Sequence, residues 1–291
     1  MHNHHHDHSN ERIGWAFFLN VCFTVIEFIG GLLTNSTAIL ADAVHDLGDS
    51  LSIGLAWLLN RISSKPANSK FSYGYQRFGL MGALINSLVL IAGSVWVMSE
   101  AIPKLFEPEM PNVEGMILLA ILGVTVNGIA AYKLSKGSTL NERVLNWHLI
   151  EDVLGWVAVL IVSIVLWFYP WPILDPLLSI AFTIFILVNV VRTLRETVTI
   201  FLQAVPDKTL SGELYQQLGS VEGVEGVHHL HLWSLDGEHH VMTAHLLISN
   251  ETNSNQQVLL KKQLAEKLSS FNLAHTTIEF EFTDEGCRDG E

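Results

Sequence analysis

Six stretches of this chain run apolar for about the length a bilayer demands, and that restricts the fold more than any other feature. A hydrocarbon layer of ~30 Å takes roughly 20 apolar residues as a helix, which satisfies its own backbone polar groups. The runs lie near residues 13–33, 38–59, 78–102, 113–134, 144–168 and 175–191. Of the 291 residues 49% are hydrophobic and only 15% charged, too apolar a balance for an ordinary soluble domain. The charged residues gather in the last third, so a membrane domain followed by a soluble one is expected. The net charge of −13 speaks against nucleic acid as a partner.

The connections orient these runs. The segment 61–77, RISSKPANSKFSYGYQR, carries Arg61, Lys65, Lys70 and Arg77 and no acid, which places it on the cytoplasmic side. The next connection, KLFEPEMPNVEG, is acid-rich and belongs on the other side, with Pro103, Pro108 and Pro111 breaking the chain. Lys133, Lys136 and Arg143 mark a second inside loop, YPWP at 169–172 an outer turn, and Arg192 and Arg195 a return inside. Both termini are therefore expected in the cytoplasm. The polar, His-rich opening argues against a cleavable signal peptide.

Within this frame two motifs repeat. His45 and Asp49 sit in ILADAVHDLGDSLSIGLAWLL, and His148 and Asp152 in NWHLIEDVLGWVAVLIVSIVL. Four residues on a helix is about 40° of rotation and about 6 Å of rise, so each His–Asp pair shares a face. Ionisable groups at membrane depth face a partner, a bound ion or a water path. Two imidazoles and two carboxylates from two helices can enclose a divalent metal tetrahedrally, which suits zinc. The bland alternative is a pair of structural polar contacts. Glu27, with Asn20 seven residues earlier, is either a functional group or a protonated interhelical hydrogen-bond donor. Asp42 lies within a turn of His45, whereas Asp46 points about 100° from it and reads as structural. Glu151 likewise points away from Asp152. Gly30 and Gly31 allow close helix approach, and Ser36 is a candidate N-cap.

Five of the chain's fourteen histidines fall in the first eight residues, MHNHHHDH. Residues 1–12 read as a flexible cytosolic tail that collects metal loosely or is inert. Cys22 and Cys287 lie far apart and imply no disulfide framework.

After about residue 206 the periodicity changes. LSGELYQQLGSV reads as an amphipathic helix, GVHHLHLWSL and HHVMTAHLLIS as strands about an Asp236–Gly237 turn, NSNQQVLLKKQLAEKLSSF as a second helix, and TTIEFEFT as a third strand. The order α-β-β-α-β gives a small sheet with both helices on one face. Period two places His228 with Leu230 and Leu232 toward the helices, and His229, His231 and Trp233 on the open face.

Taken together, LADAVHDLGD, the second HLIED, the FSYGYQR loop and HLHLWSL…MTAHL make the chain resemble the cation diffusion facilitators, in their zinc-transporting branch, over nearly its full length. The resemblance implies a fold class: an all-α six-helix transmembrane domain plus an α+β ferredoxin-like (metallochaperone-like) cytosolic domain. The expected ranges are a tail at 1–12, a transport domain at 13–205, a cytosolic domain at 206–285 and a C-terminal tail at 286–291. It implies a homodimer in a bilayer, exporting zinc in exchange for protons; the compact loops and short tail point to a bacterial inner membrane, with an organellar membrane as the alternative. The family's transport site falls on His45, Asp49, His148 and Asp152. A regulatory zinc site in the cytosolic domain is expected from His228, His245 and His275, with Glu281 and Cys287 as further candidates. Cd²⁺, Co²⁺, Fe²⁺ and Ni²⁺ stay open as alternative ions. The loop between the second and third spans lacks His and Asp, so the metal site some relatives carry there is not expected.

The chemistry this implies is a competition of protons and metal for one ligand set, since metal needs neutral imidazole and ionised carboxylate. No enzyme activity is expected: HExxH is absent, and four protein ligands leave no open position for water. A metal channel or uniporter and a non-transporting metal sensor are the remaining rivals.

Overall fold

The computed structural model describes residues 4–135 and 140–289. The chain divides into two compact units, Met1–Leu58 with Gly82–Leu194, and Leu59–Met81 with Arg195–Glu291.

The first unit is built from long helices: α1 (His4–Thr34), α2 (Thr37–Ser63), α3 (Phe78–Phe106), α4 (Val113–Leu134), α5 (Leu140–Phe168) and α6 (Leu174–Phe201), of which α2, α3 and α6 run on into the second unit. Among the described residues, α3 to α6 each hold a stretch long and apolar enough to cross a membrane. In α1 and α2 the apolar runs are interrupted by Glu27 and by Asp42, Asp46 and Asp49. Helix α1 begins at His4, ahead of the start at residue 13 expected for the first apolar span. The side chains of the N-terminal histidines lie outside the described residues. Pro103 does not end α3. Proline lacks only its own N–H, its carbonyl still accepts from the Glu107 N–H at 3.0 Å, and the helix runs on to Phe106.

Two apolar clusters hold these helices. One packs Phe23, Ile39, Met116 and Ala120 around a fully buried Trp156, and the other packs Val44, Leu90, Val97, Ile186 and Val190. Close backbone approach is what makes room for the indole: a Cβ at Gly123 would collide with the Trp156 ring, as one at Gly30 would with Leu119. The outside is apolar as well, with Leu118, Leu154, Trp167 and Phe185 exposed, a surface suited to lipid.

The N-terminus of α2 is tied across the bundle. Asp175 on α6, almost fully buried, accepts from Ser36 Oγ (2.5 Å), the Thr37 N–H (2.7 Å) and Thr37 Oγ1 (2.9 Å). Ser36 itself accepts from the Ile39 N–H, as an N-cap does. A carboxylate beside free N–H groups at a helix start is favourably placed.

The second unit holds α7 (Lys208–Gly219), β1 (Val224–Ser234), β2 (His240–Ile248), α8 (Ser254–Leu268) and β3 (Leu273–Phe282), the expected element order. The sheet order is β1-β2-β3, with β1 antiparallel and β3 parallel to the central β2. Asp207 caps α7, and Asn253 with Gln256 forms a capping box on α8. Leu260, Leu264 and Leu268 recur every four residues on α8 and, with Leu214 and Leu218 of α7, cover Met242, Ala244, Leu246 and Ile248 of β2. By alternation, Thr243 and His245 of β2 and Glu279 and Glu281 of β3 lie on the sheet's other face.

Strand β1 departs from strict alternation. Its register slips between His228 and His231, and His229 takes φ +49°. The bulge inserts one residue, so Val227, Leu230 and Leu232 all reach the core while His228 turns to the opposite face. Period two alone placed His228 on the wrong side.

Candidate metal centres

The first centre joins α2 and α5. One turn of α2 presents His45 and Asp49, and one turn of α5 presents His148 and Asp152. A single ligand atom from each can be chosen so that all four lie within 4.8 Å of one another. His148 Nε2 is 3.1 Å from Asp49 Oδ2 and 3.7 Å from Asp152 Oδ2, and His45 Nε2 is 3.5 Å from Asp49 Oδ2. A tetrahedral ion with ligand bonds near 2.0–2.1 Å has ligand–ligand edges of roughly 3.3–3.4 Å, so these separations match. Asp49 Oδ2 is paired with His148 Nε2, whereas both Asp152 carboxylate oxygens are buried with no hydrogen-bond partner. Unpaired buried carboxylate oxygens are costly, and a cation among them removes that cost.

A cavity of about 260 Å³ opens beside the cluster, lined by Asp42, His45, Glu151, Asp152 and apolar residues of α5 and α6 that include Phe182 and Phe185. Asp42 and Asp46 are 6% and 1% exposed, and Glu27 is fully buried. Asp46 and the Trp156 indole adjoin Glu27. The carboxylates of α1 and α2 thus form one buried group behind the four ligands. Their four- and seven-residue spacing is visible in the chain, but their convergence is not.

The second centre lies on the sheet's open face. His228 and His245 are cross-strand partners, and Leu247 pairs with Glu281. His228 Nε2 and His245 Nδ1 each stand 2.8 Å from a Glu281 oxygen, and Cys287 Sγ is 3.5 Å from His245 Nδ1. After β3 the Glu285 N–H donates to the Phe282 carbonyl and its side chain accepts from the Phe282 N–H, a turn that brings Cys287 back over the sheet. Cys287, a candidate from the expected C-terminal tail, thus reaches the cluster. Burial pushes the Glu281 carboxyl up, but the Cys287 thiol and the two imidazoles outweigh it and hold it below the usual carboxylate range. Two imidazoles, a carboxylate and a thiol whose ligand atoms lie within 4.8 Å of one another fit a closed tetrahedral zinc site.

His275 does not join this cluster. It pairs with Val241 near the start of β3, six residues from Glu281, or roughly 20 Å along a strand. Its ring instead packs edge-on to Tyr73, at 5.1 Å between centroids. Glu281, ranked behind the histidines in the sequence, sits at the centre. His229 was not expected near the site, yet its ring lies 5.1 Å from that of His245, carried there by the bulge.

A helical membrane unit with a two-helix His₂Asp₂ cluster, followed by an α/β unit with a second cluster, defines a class of protein: integral membrane metal-cation carriers. Comparison with known proteins agrees. The family model for the cation efflux transmembrane domain matches residues 15–202, and that for the cation efflux protein cytoplasmic domain matches 206–282. The chain belongs to the cation efflux, or cation diffusion facilitator, family. It is 32% identical to the metal cation efflux system protein CzcD of Cupriavidus metallidurans, over 96% of this chain and 89% of the relative. It is also 32% identical to the zinc transporter ZitB of Pectobacterium atrosepticum (97% and 89% covered) and 29% to the cadmium, cobalt and zinc/H⁺-K⁺ antiporter of Bacillus subtilis (96% and 91%). Among solved structures it is similar to the metal-bound C-terminal domain of the CzcD transporter from C. metallidurans, at 31% identity over 24% of this chain and 94% of that one, with a TM-score of 0.22.

Proposed function

We propose that this transporter exports zinc from the cytoplasm in exchange for protons, by alternating access through the His45–Asp49–His148–Asp152 site. The observation that carries this reading is the set of four ligand atoms, two from each of two helices, converging within 4.8 Å in the membrane unit. Zinc is favoured over its rivals by the borderline ligand set of two imidazoles and two carboxylates and by the names of the relatives, which also give cadmium and cobalt. All six long helices span the membrane in this reading, with α1 and α2 bringing their carboxylates to the bundle interior. The transport domain runs 13–205 and the ferredoxin-like cytosolic domain 206–285. Both termini face the cytoplasm of a bacterial plasma membrane, and two copies pair as a homodimer.

The ligands do the chemistry directly. Metal requires neutral His45 and His148 and ionised Asp49 and Asp152. Opening toward a more acidic side protonates them and displaces the ion, and the protonated carrier returns inward. The cavity beside Asp42 and Glu151 gives the ions a route. In the cytosolic domain the His228–His245–Glu281–Cys287 cluster holds a regulatory zinc.

The test is zinc flux into proteoliposomes of the purified protein with a pH gradient imposed or collapsed. Flux that follows the gradient, with protons moving oppositely, supports exchange. Flux indifferent to the gradient establishes a channel or uniporter instead, and a tight zinc site with no flux of any divalent ion establishes a sensor. The Bacillus relative's name adds a potassium gradient as a further arm.

A further inference from the structure

The segment between α2 and α3 is more than a basic connector. Asn68 accepts from the N–H groups of Lys70 and Phe71 and donates to Tyr75 Oη, all at 2.9 Å. Phe71, Tyr75 and Phe78 pack against one another in tilted and edge-on contacts, with centroids 4.6–5.7 Å apart. Gly74, at φ +76°, makes the left-handed turn that a side chain would strain. The result is a fixed loop, and it walls a cavity of about 300 Å³ within the second unit. That volume is at the lower end for a small-molecule site.

Its lining is unusual for so acidic a protein. Lys70 and Arg77 are its ionisable members apart from Tyr73, and no carboxylate lines it among the described residues. Neither cation has an ion-pair partner among the described residues. Arg77 Nε and Gln76 Oε1 are buried without any hydrogen-bond partner, a costly state in the absence of a ligand. Trp233 and Phe71 supply apolar walls, and Lys70 Nζ lies 5.7 Å over the Phe71 ring. Phe78, also in the wall, is the first residue of α3, which is apolar enough to cross a membrane. The cavity therefore adjoins the first residue of that helix.

We infer that this cavity binds a phosphate anion through Arg77 and Lys70. The guanidinium offers paired N–H donors to phosphate oxygens and the ammonium adds a second charge. Two sources carry that chemistry, the phosphodiester of an anionic phospholipid and phosphate in solution. Basic pockets at the cytoplasmic ends of membrane helices suit the first.

The experiment is native mass spectrometry of the intact purified protein, titrated with phosphatidylglycerol, phosphatidylcholine or inorganic phosphate. Phosphatidylglycerol is expected to bind at least about tenfold more tightly than phosphatidylcholine, with that preference lost in Lys70→Gln/Arg77→Gln. Arg77→Lys keeps the preference at intermediate affinity. Inorganic phosphate that binds and depends on the same two residues supports the site with the soluble source. With no residue-dependent phosphate binding, equal binding of the two lipids by the wild type, or an unchanged preference in the double variant, overturns it. If the double variant does not fold, Lys70→Gln alone, on an exposed side chain, is read against the same two outcomes. None of these readouts depends on zinc transport.

Discussion

The two ligand clusters solve one problem in opposite ways. In the membrane unit the four ligands come from two short local motifs, each a single helical turn. In the cytosolic unit they come from three strands and a returning tail, with His228 and Cys287 separated by most of the domain. The first set is His₂Asp₂, with Asp152 3% exposed and the rest half-buried beside an open cavity. The second includes a thiol and is closed by the turn after β3. Carboxylates trade metal for protons, which suits a site that must release its ion every cycle. A thiolate holds zinc more durably, which suits a resident ion. On the proposed assignment of the two sites, the ligand chemistry follows the residence time asked of each.

The comparison breaks most sharply at the membrane cluster. Asp49→Ala and Asp152→Ala are each expected to cut zinc flux by about 100-fold or more while the protein still folds, a single ligand being a large part of the site's affinity. Retained flux in both would sink the assigned transport site. His245→Ala and Cys287→Ser should leave flux measurable but lose one zinc per chain by metal analysis. With Co²⁺ as probe, Cys287→Ser should also lose the thiolate charge-transfer band. No change in stoichiometry would remove the cytosolic site.

Smaller effects sharpen the contrast. Asp175→Asn weakens the buried tie between α6 and the start of α2, at a cost of about 1–3 kcal/mol read as a lowered thermal midpoint. Glu281 is held below its unfolded pKa, so its contribution to stability is full above the ordinary carboxylate value of about 4.3 and is lost as pH falls through its folded value. Denaturation of the metal-free protein between pH 7 and 3 should show that loss, and Glu281→Gln should flatten it. The smallest effect belongs to His275→Ala, which leaves zinc stoichiometry unchanged because its ring faces Tyr73 rather than the cluster.

What the sequence determined is what local geometry controls. His45 with Asp49, and His148 with Asp152, share helix faces because four residues make nearly one turn, so the membrane cluster was legible without coordinates. The α-β-β-α-β order of the second unit, the Asp236–Gly237 turn and the Ser36 cap were legible for the same reason. Tertiary structure decided the rest. A single inserted residue at His229 turned His228 to the open face, and strand alternation carries no sign of such a bulge. The parallel pairing of β3 set Glu281 beside His245 and left His275 about 20 Å away, a matter of register between segments far apart in the chain. The burial of Glu27, Asp42 and Asp46 against one another, and the return of Cys287, likewise depend on which elements meet. Periodicity reports which face a residue occupies, and only packing reports what that face meets.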